Sequence, residues 1–219
     1  MITYSSDRSK QPTDELVSKI KSETGSEAID LQCDLKDPSA AKQIVDATVK
    51  AFGSHIDILV NNAAIISDKK IEDITPEDFD EVFYTNARAP LLMVQAILPH
   101  LRKPGRIINI SSVGARAAYA GVGLYSASKA ALEGFTRNWA AELGKDGTTV
   151  NCVNPGPVQT EMLDKVDQSI KGPQFEATPV EKRAGRVEEI AEIVGFLAEG
   201  RSSWVSGQCI SASGGHAVY

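Results

Sequence analysis

Glycine is missing from the start of this 219-residue chain: none occurs before Gly25. A backbone that must come close to an anion at its first turn needs glycine there, so the N-terminal stretch supplies no such turn. Cysteine is also scarce. Cys33, Cys152 and Cys209 are odd in number, far apart in sequence and without a C-x-x-C pair, which argues against a disulfide framework or a zinc site. His55, His100 and His216 stand singly, and no metal is expected. Positive charge is in deficit, with 23 Lys and Arg against 29 Asp and Glu and a net charge of −6. A nucleic acid or an anionic membrane surface is therefore not an expected partner. No apolar run approaches the ~18 residues of a spanning helix, and the start MITYSSDRSK has no apolar leader. A cytoplasmic address is the expectation. The hydrophobic fraction of 42% suits one globular domain over 1–219, long enough to bury most of its unfolded surface.

What is present centres on Gly105 to Lys129, GRIINISSVGARAAYAGVGLYSASK. Ile107, Ile108 and Ile110 read as a buried strand that delivers Ser111 and Ser112 to the rim of a sheet, where ligands bind in open α/β folds. Tyr125 and Lys129 are four apart, so a helix starting near Leu124 puts them one turn apart on one face. An ammonium beside a phenol favours the phenolate and is expected to lower the tyrosine pKa. Taken alone, the pair could equally be two surface neighbours. Its company decides: Ser112 lies thirteen residues before Tyr125, Asn86 sits in a helical stretch, and Asn61-Asn62-Ala63-Ala64 follows the apolar run Ile56 to Val60.

The rest of the chain alternates between strand and helix patterns. Strands are expected at Ile2–Ser5, Ala28–Cys33, Ile56–Val60, Arg106–Ser111, Thr149–Val153 and Gln208–Ser211. Helices are expected at Asp14–Ser22, Pro38–Phe52, Thr75 to about Leu101 with a bend at Pro90, the Tyr/Lys segment to Leu143, and Glu188–Leu197. Thr75-Pro76-Glu77-Asp78 is a capping-type start with proline in the first turn. Short apolar strands between helices predict a doubly wound parallel α/β sheet covered on both faces.

On these residues the chain resembles the short-chain dehydrogenase/reductase family, from its first residues to its last glycines. The family pattern of a serine, a tyrosine thirteen on and then x-x-x-Lys matches Ser112, Tyr125 and Lys129, and its asparagine matches Asn86 in TNARAP. The resemblance implies a Rossmann-like domain and hydride transfer between NADP(H) and a small carbonyl or alcohol substrate. Tyr125 is then the general acid, and Ser112 the hydrogen-bond partner of the substrate oxygen. Lys129 acts on the tyrosine pKa and, with Tyr125, at the nicotinamide ribose, while Asn86 holds a water in the proton relay. A homo-oligomer, dimer or tetramer, is implied through Asp80–Leu101 and Ser128–Leu143, where Ala130, Ala131 and Gly134 permit close packing.

Against the family register, Ile2–Ser5 matches the second strand, and the first strand, glycine turn and first helix are not in the sequence. The chain therefore reads as an N-terminally truncated Rossmann-like domain. Three outcomes are expected at that vacancy: the second strand closes it, residues 1–35 pack differently, or a partner fills it. Loss of two backbone N–H bonds to a phosphate, at about 1.5–3 kcal/mol each, weakens or abolishes cofactor binding. Ser5, Ser6 and Arg8 follow the second strand without an acid until Asp7, which suits a 2′-phosphate and NADP(H). Asp34 and Leu35 match the adenine border, and Asn62 and Ala63 the adenosine ribose. Pro155-Gly156-Pro157-Val158-Gln159-Thr160 resembles the turn whose Val158 and Thr160 meet the carboxamide, and Glu161–Thr178 resembles a substrate lid. The alternative reading is a descendant that no longer binds a dinucleotide well and acts as a non-redox catalyst or a binding subunit.

Overall fold

Runs of β-branched residues and amphipathic stretches alternate along the chain and become strands and helices in that order. The computed structural model describes residues 1–164 and 168–219. In sequence order these are β1 (Ile2–Tyr4), α1 (Lys10–Thr24), β2 (Asp30–Gln32), α2 (Ala40–Phe52) and β3 (Ile56–Asn61). Then come α3 (Pro76–Phe83), a π-helical turn (Tyr84–Arg88), α4 (Ala89–Ile97), β4 (Leu101–Ile110), α5 (Gly123–Leu143) and β5 (Thr149–Pro155). The chain ends with α6 (Glu161–Asp164), α7 (Gln168–Glu176), α8 (Val187–Ala198) and β6 (Cys209–Ala212). The expected substrate lid includes residues 165–167, which lie outside the described residues.

Four strands pair in parallel in the order β3-β4-β5-β6, with Ile107 opposite Val150 and Ile108 opposite Asn151. Successive side chains face opposite ways, and both faces are covered, as parallel strands require. Ile107 and Val150 pack with Ile44, Val45, Val94, Ile97 and Trp139 from α2, α4 and α5. Ile108 and Val153 instead meet Leu197 and its α8 neighbours Ile190, Ile193 and Val194. The α/β doubly wound architecture expected from the alternation is what forms.

Two expectations need correction. The long helix from Thr75 is not continuous with a bend at Pro90. Thr75 caps α3 reciprocally with Asp78, as its sequence implies, but the helix widens into the π turn at Tyr84–Arg88 and α4 carries Pro90 in its first turn. Proline has no N–H for the carbonyl four residues before it, which here is that of Asn86, so the regular ladder gives way upstream of the proline.

Secondly, the second strand of the family register does not close the vacancy. β1 pairs only with β2, in a separate two-stranded parallel sheet with Ile2 opposite Asp30. Met1, Leu31 and Leu35 pack onto the core that α2 and α4 share, which holds this small sheet away from β3. Between the β1 and β3 edges lies a cleft of about 440 Å³ lined by Ile2, Thr3, Leu35, Ile58, Val60 and Asn62 among others. Ile58 and Val60 remain 44% and 41% exposed there. Ile58→Ala is therefore expected to cost about 1 kcal/mol or less in urea unfolding, against about 2–5 kcal/mol for Ile107→Ala in the closed core. Equal costs would mean that the cleft is filled in solution.

Candidate active site

The C-terminal end of β4 and the first turns of α5 meet at one rim of the sheet. Ser112 follows β4 in extended conformation, and its Oγ accepts the Gly114 amide at 3.0 Å, starting a short 3-10 turn over Val113–Ala115. Gly114 leaves little room for a side chain: a Cβ there would lie 3.3 Å from Ser112 Oγ, tight enough to shift it, and 3.7 Å from Tyr125 Cε1. The turn thus lets the serine and the tyrosine approach each other, with the Ser112 hydroxyl close to the Tyr125 ring. Lys129, one turn further along α5, is 2% exposed and donates from Nζ to the Ile110 carbonyl at 2.7 Å. Its ammonium is 5.7 Å from the centre of the Tyr125 ring.

The electrostatics differ from the expected lowering of the phenol pKa. Burial pushes Tyr125 above its ordinary value, with the nearby Ser112 hydroxyl working in the other direction. Burial also brings Lys129 down to about 8, because its charge sits away from water. The lysine is turned to a backbone carbonyl rather than to the phenolic oxygen, so it does not offset the cost of burying a phenolate. A phenol kept protonated near neutral pH is a proton donor, which is the state a general acid needs.

Asn86 lies in the π turn and is 1% exposed. Its Oδ1 accepts from Ile65 N at 2.9 Å, and its Nδ2 donates to Ile65 O at 2.8 Å and to Ser128 Oγ at 3.0 Å. Both amide hydrogens are committed, so the side chain clamps the segment after β3 to α5. On the opposite side, Asn61 Nδ2 donates to Asn109 Oδ1 at 2.8 Å, tying β3 to β4 as a structural amide.

The remaining expected residues are spread along the strand ends. Leu35, Asn62 and Ala63 line the cleft between β1 and β3, and Asp34 accepts the Lys36 amide. Ser5, Ser6 and Arg8 are exposed beyond β1, with Arg8 4.0 Å from Glu161 at the start of α6. Pro155 ends β5, and a Cβ on Gly156 would meet Ser213 at 3.1 Å. Val158 bridges to Gly185, and Thr160 is exposed.

The structure also brings in residues that the sequence reading passed over. Glu133, almost fully buried, accepts from Arg116 Nε at 2.8 Å and from Asn154 Nδ2, linking the loop after Ser112 to α5 and β5. Arg88 stacks 3.6 Å from the Tyr84 ring centre and donates to Lys36 O, fastening the loop that carries Asp34 and Leu35. Glu133 had a signal, since it lies four residues after Lys129 on the same helix face. Arg116 had none, nor had Arg88 for its bond to Lys36 O, because those partners are distant in sequence.

A family model described as enoyl-(acyl carrier protein) reductase matches residues 1–217. The chain is 42% identical over 220 residues to dehydrogenase OXI1 of Cochliobolus heterostrophus, an alignment covering 98% of this chain and 95% of that protein. It is 36% identical over 221 residues to versicolorin reductase stcU of Emericella nidulans, covering 94% and 82%. Among solved structures, a blue fluorescent protein from a metagenomic library, in complex with NADPH, superposes with a TM-score of 0.92 at 37% identity, covering 99% of this chain and 86% of that one. A short-chain dehydrogenase from Burkholderia cenocepacia in complex with NADP gives 0.90 at 34%, covering 98% and 86%. The chain belongs to the short-chain dehydrogenase/reductase family.

The Lys129 geometry has a consequence for stability. Its folded pKa lies below the unfolded value of 10.5, so the penalty for burying the ammonium is fully present below about pH 8 and is relieved as pH rises toward 10.5. The relief is of order 3 kcal/mol. In urea unfolding at pH 7, 9 and 10, Lys129→Met is expected to lack this gain, whereas parallel profiles would show that the ammonium is not desolvated.

Proposed function

We propose that this chain is an NADP(H)-dependent oxidoreductase that interconverts a ketone or aldehyde and its alcohol. The observation that carries this reading is the convergence of the Ser112 hydroxyl and the Tyr125 ring at the strand end, with the Lys129 ammonium behind the ring. The family is one of dehydrogenases and reductases by the names of the chain's relatives, and two similar solved structures are NADP(H) complexes.

The residues fit a nicotinamide nucleotide. Lys129 carries three donors, and one bond, to Ile110 O, occupies it in the structure, which leaves donors for ribose hydroxyls. The carboxamide would lie along Pro155, Gly156, Val158 and Thr160, and the adenosine beside Asp34, Leu35, Asn62 and Ala63. Ser5, Ser6 and Arg8 would face the 2′-phosphate. Weaker binding than glycine-turn enzymes achieve belongs to the same reading, supported by the absence of glycine before Gly25. When bound, the nicotinamide supplies or accepts the hydride. Tyr125 gives its phenolic proton to the substrate oxygen in reduction and takes it back in oxidation. Ser112 holds that oxygen in line with the phenol, and Lys129 holds the nicotinamide ribose beside it. Asn86 keeps α5 and the segment after β3 in register around them.

A homo-oligomer is part of the proposal, supported by the small residues Ala130, Ala131 and Gly134 on α5, where a Cβ at Gly134 would meet nothing within 4 Å. A cytoplasmic address is another part, supported by three free thiols. Among the described residues, no helix is long and apolar enough to cross a membrane.

Tyr125→Phe is expected to reduce kcat by about 10²–10⁴ while NADPH still binds, as read by nicotinamide fluorescence. Unchanged turnover would remove the phenol from the mechanism. Arg8→Ala is expected to narrow any preference for NADPH over NADH by about tenfold or more, the worth of one charge-assisted bond. An unaltered ratio would locate 2′-phosphate recognition elsewhere.

A further inference from the structure

Two of the three thiols, 57 residues apart in the sequence, are neighbours in the sheet. Cys152 on β5 and Cys209 on β6 are directly opposed partners in the parallel ladder. Adjacent strands run about 4.8 Å apart, within the ~4.4–6.8 Å Cα separation that a disulfide spans. Opposed residues of a parallel pair point to the same face. Cys152 Sγ lies 3.0 Å from Thr136 Oγ1 on α5, so that is the α5 face. The cysteine pair of this face is therefore a dithiol, packed between the sheet and α5.

The surroundings of the two sulfurs are unequal. Cys152 is completely buried, whereas Cys209 is half-buried and faces a cluster of charges. Those groups are Arg116 from the loop after β4, and Glu133 and Arg137 from α5. Arg116 donates to Glu133 and lies near the Cys209 sulfur. The opposed Cys152 thiol holds the Cys209 thiol below its ordinary pKa, and the two guanidinium groups add to this, while burial and Glu133 oppose it. Cys152 is pushed up, through the neighbouring Cys209 and through burial. One sulfur is thus the attacking thiolate and the other the resolving thiol. β6 is the last strand of its sheet, free on one side to shift toward β5.

We propose that Cys152 and Cys209 form a reversible disulfide, a modification site in which a hydroperoxide is the oxidant. The Cys209 thiolate attacks one peroxide oxygen, the O–O bond breaks, and hydroxide leaves, giving a sulfenic acid on Cys209. The Cys152 sulfur then attacks the Cys209 sulfur. The S–O bond breaks, and the hydroxyl departs as water with the Cys152 proton. For hydrogen peroxide the sum is two thiols and one peroxide giving a disulfide and two waters, with two electrons passing from sulfur to oxygen. A disulfide removes the negative charge that the Cys209 thiolate sets near Arg116, the residue that fastens the loop after Ser112 to Glu133.

The test treats the purified full chain with hydrogen peroxide, blocks the remaining thiols and maps peptides by mass spectrometry. The expected result is a Cys152–Cys209 linked pair that disappears on addition of dithiothreitol, is lost in Cys209→Ser, and persists in Cys33→Ser. The wild-type map is informative by itself if Cys209→Ser fails to fold, and Cys152→Ala then supplies the second variant. Stable sulfinic or sulfonic acid on Cys209 without a linked pair overturns the proposal. So does a linkage made only through Cys33 between two chains.

Discussion

The bond from the Lys129 ammonium to the Ile110 carbonyl fixes the distance between the end of β4 and the first turns of α5, and the site depends on that distance. The lysine sits where its charge is costly, which is why its pKa falls to about 8, and its bond to the strand end is what it gains in return. With α5 held there, the ring of Tyr125 meets the hydroxyl of Ser112, and the small Gly114 between them keeps the approach open. Asn86 and Glu133 extend the same fastening outward, one to the segment after β3 and the other to Arg116 and β5. Lys129, Asn86 and Glu133 are each buried and partnered, which gives the site one arrangement rather than several.

Much of this was legible in the residues because it rests on short-range pattern. The four-residue step from Tyr125 to Lys129 survives any small error in helix boundaries, and α5 does begin at Gly123. The capping at Thr75 and the strand through Ile107 and Ile108 are likewise local properties. The sequence could not show the π turn, since Pro90 marks the carbonyl left without a donor but not whether the helix bends there or widens upstream. Nor could it give the sign of the Tyr125 shift, because burial and the direction of the lysine outweigh the mere nearness of a positive charge. Cys152 and Cys209 looked unrelated for a similar reason: strand order, not spacing in the chain, makes them partners.

A line of hydrogen bonds runs across the sheet beneath the site. Asn61 donates to Asn109, which donates to Thr136, whose hydroxyl touches the Cys152 sulfur. It joins β3, β4, α5 and β5 through side chains that are mostly fully buried. Polar groups in such places are tolerated only when paired, and a break at one member leaves its neighbour without a partner. The core therefore favours one register of these strands over slipped alternatives.

The cleft separating β1 and β2 from the four-stranded sheet divides the molecule mechanically. No ladder bonds join β1 to β3, so the first 35 residues hold to the body through side-chain packing by α2 and through contacts such as Arg88 to the Lys36 carbonyl. Such a unit unlatches at lower free energy than the central strands do. The adenosine end of the proposed groove thus rests on a hinged leaf, and the proton-transfer end on a rigid frame. A nucleotide spanning both would staple one to the other.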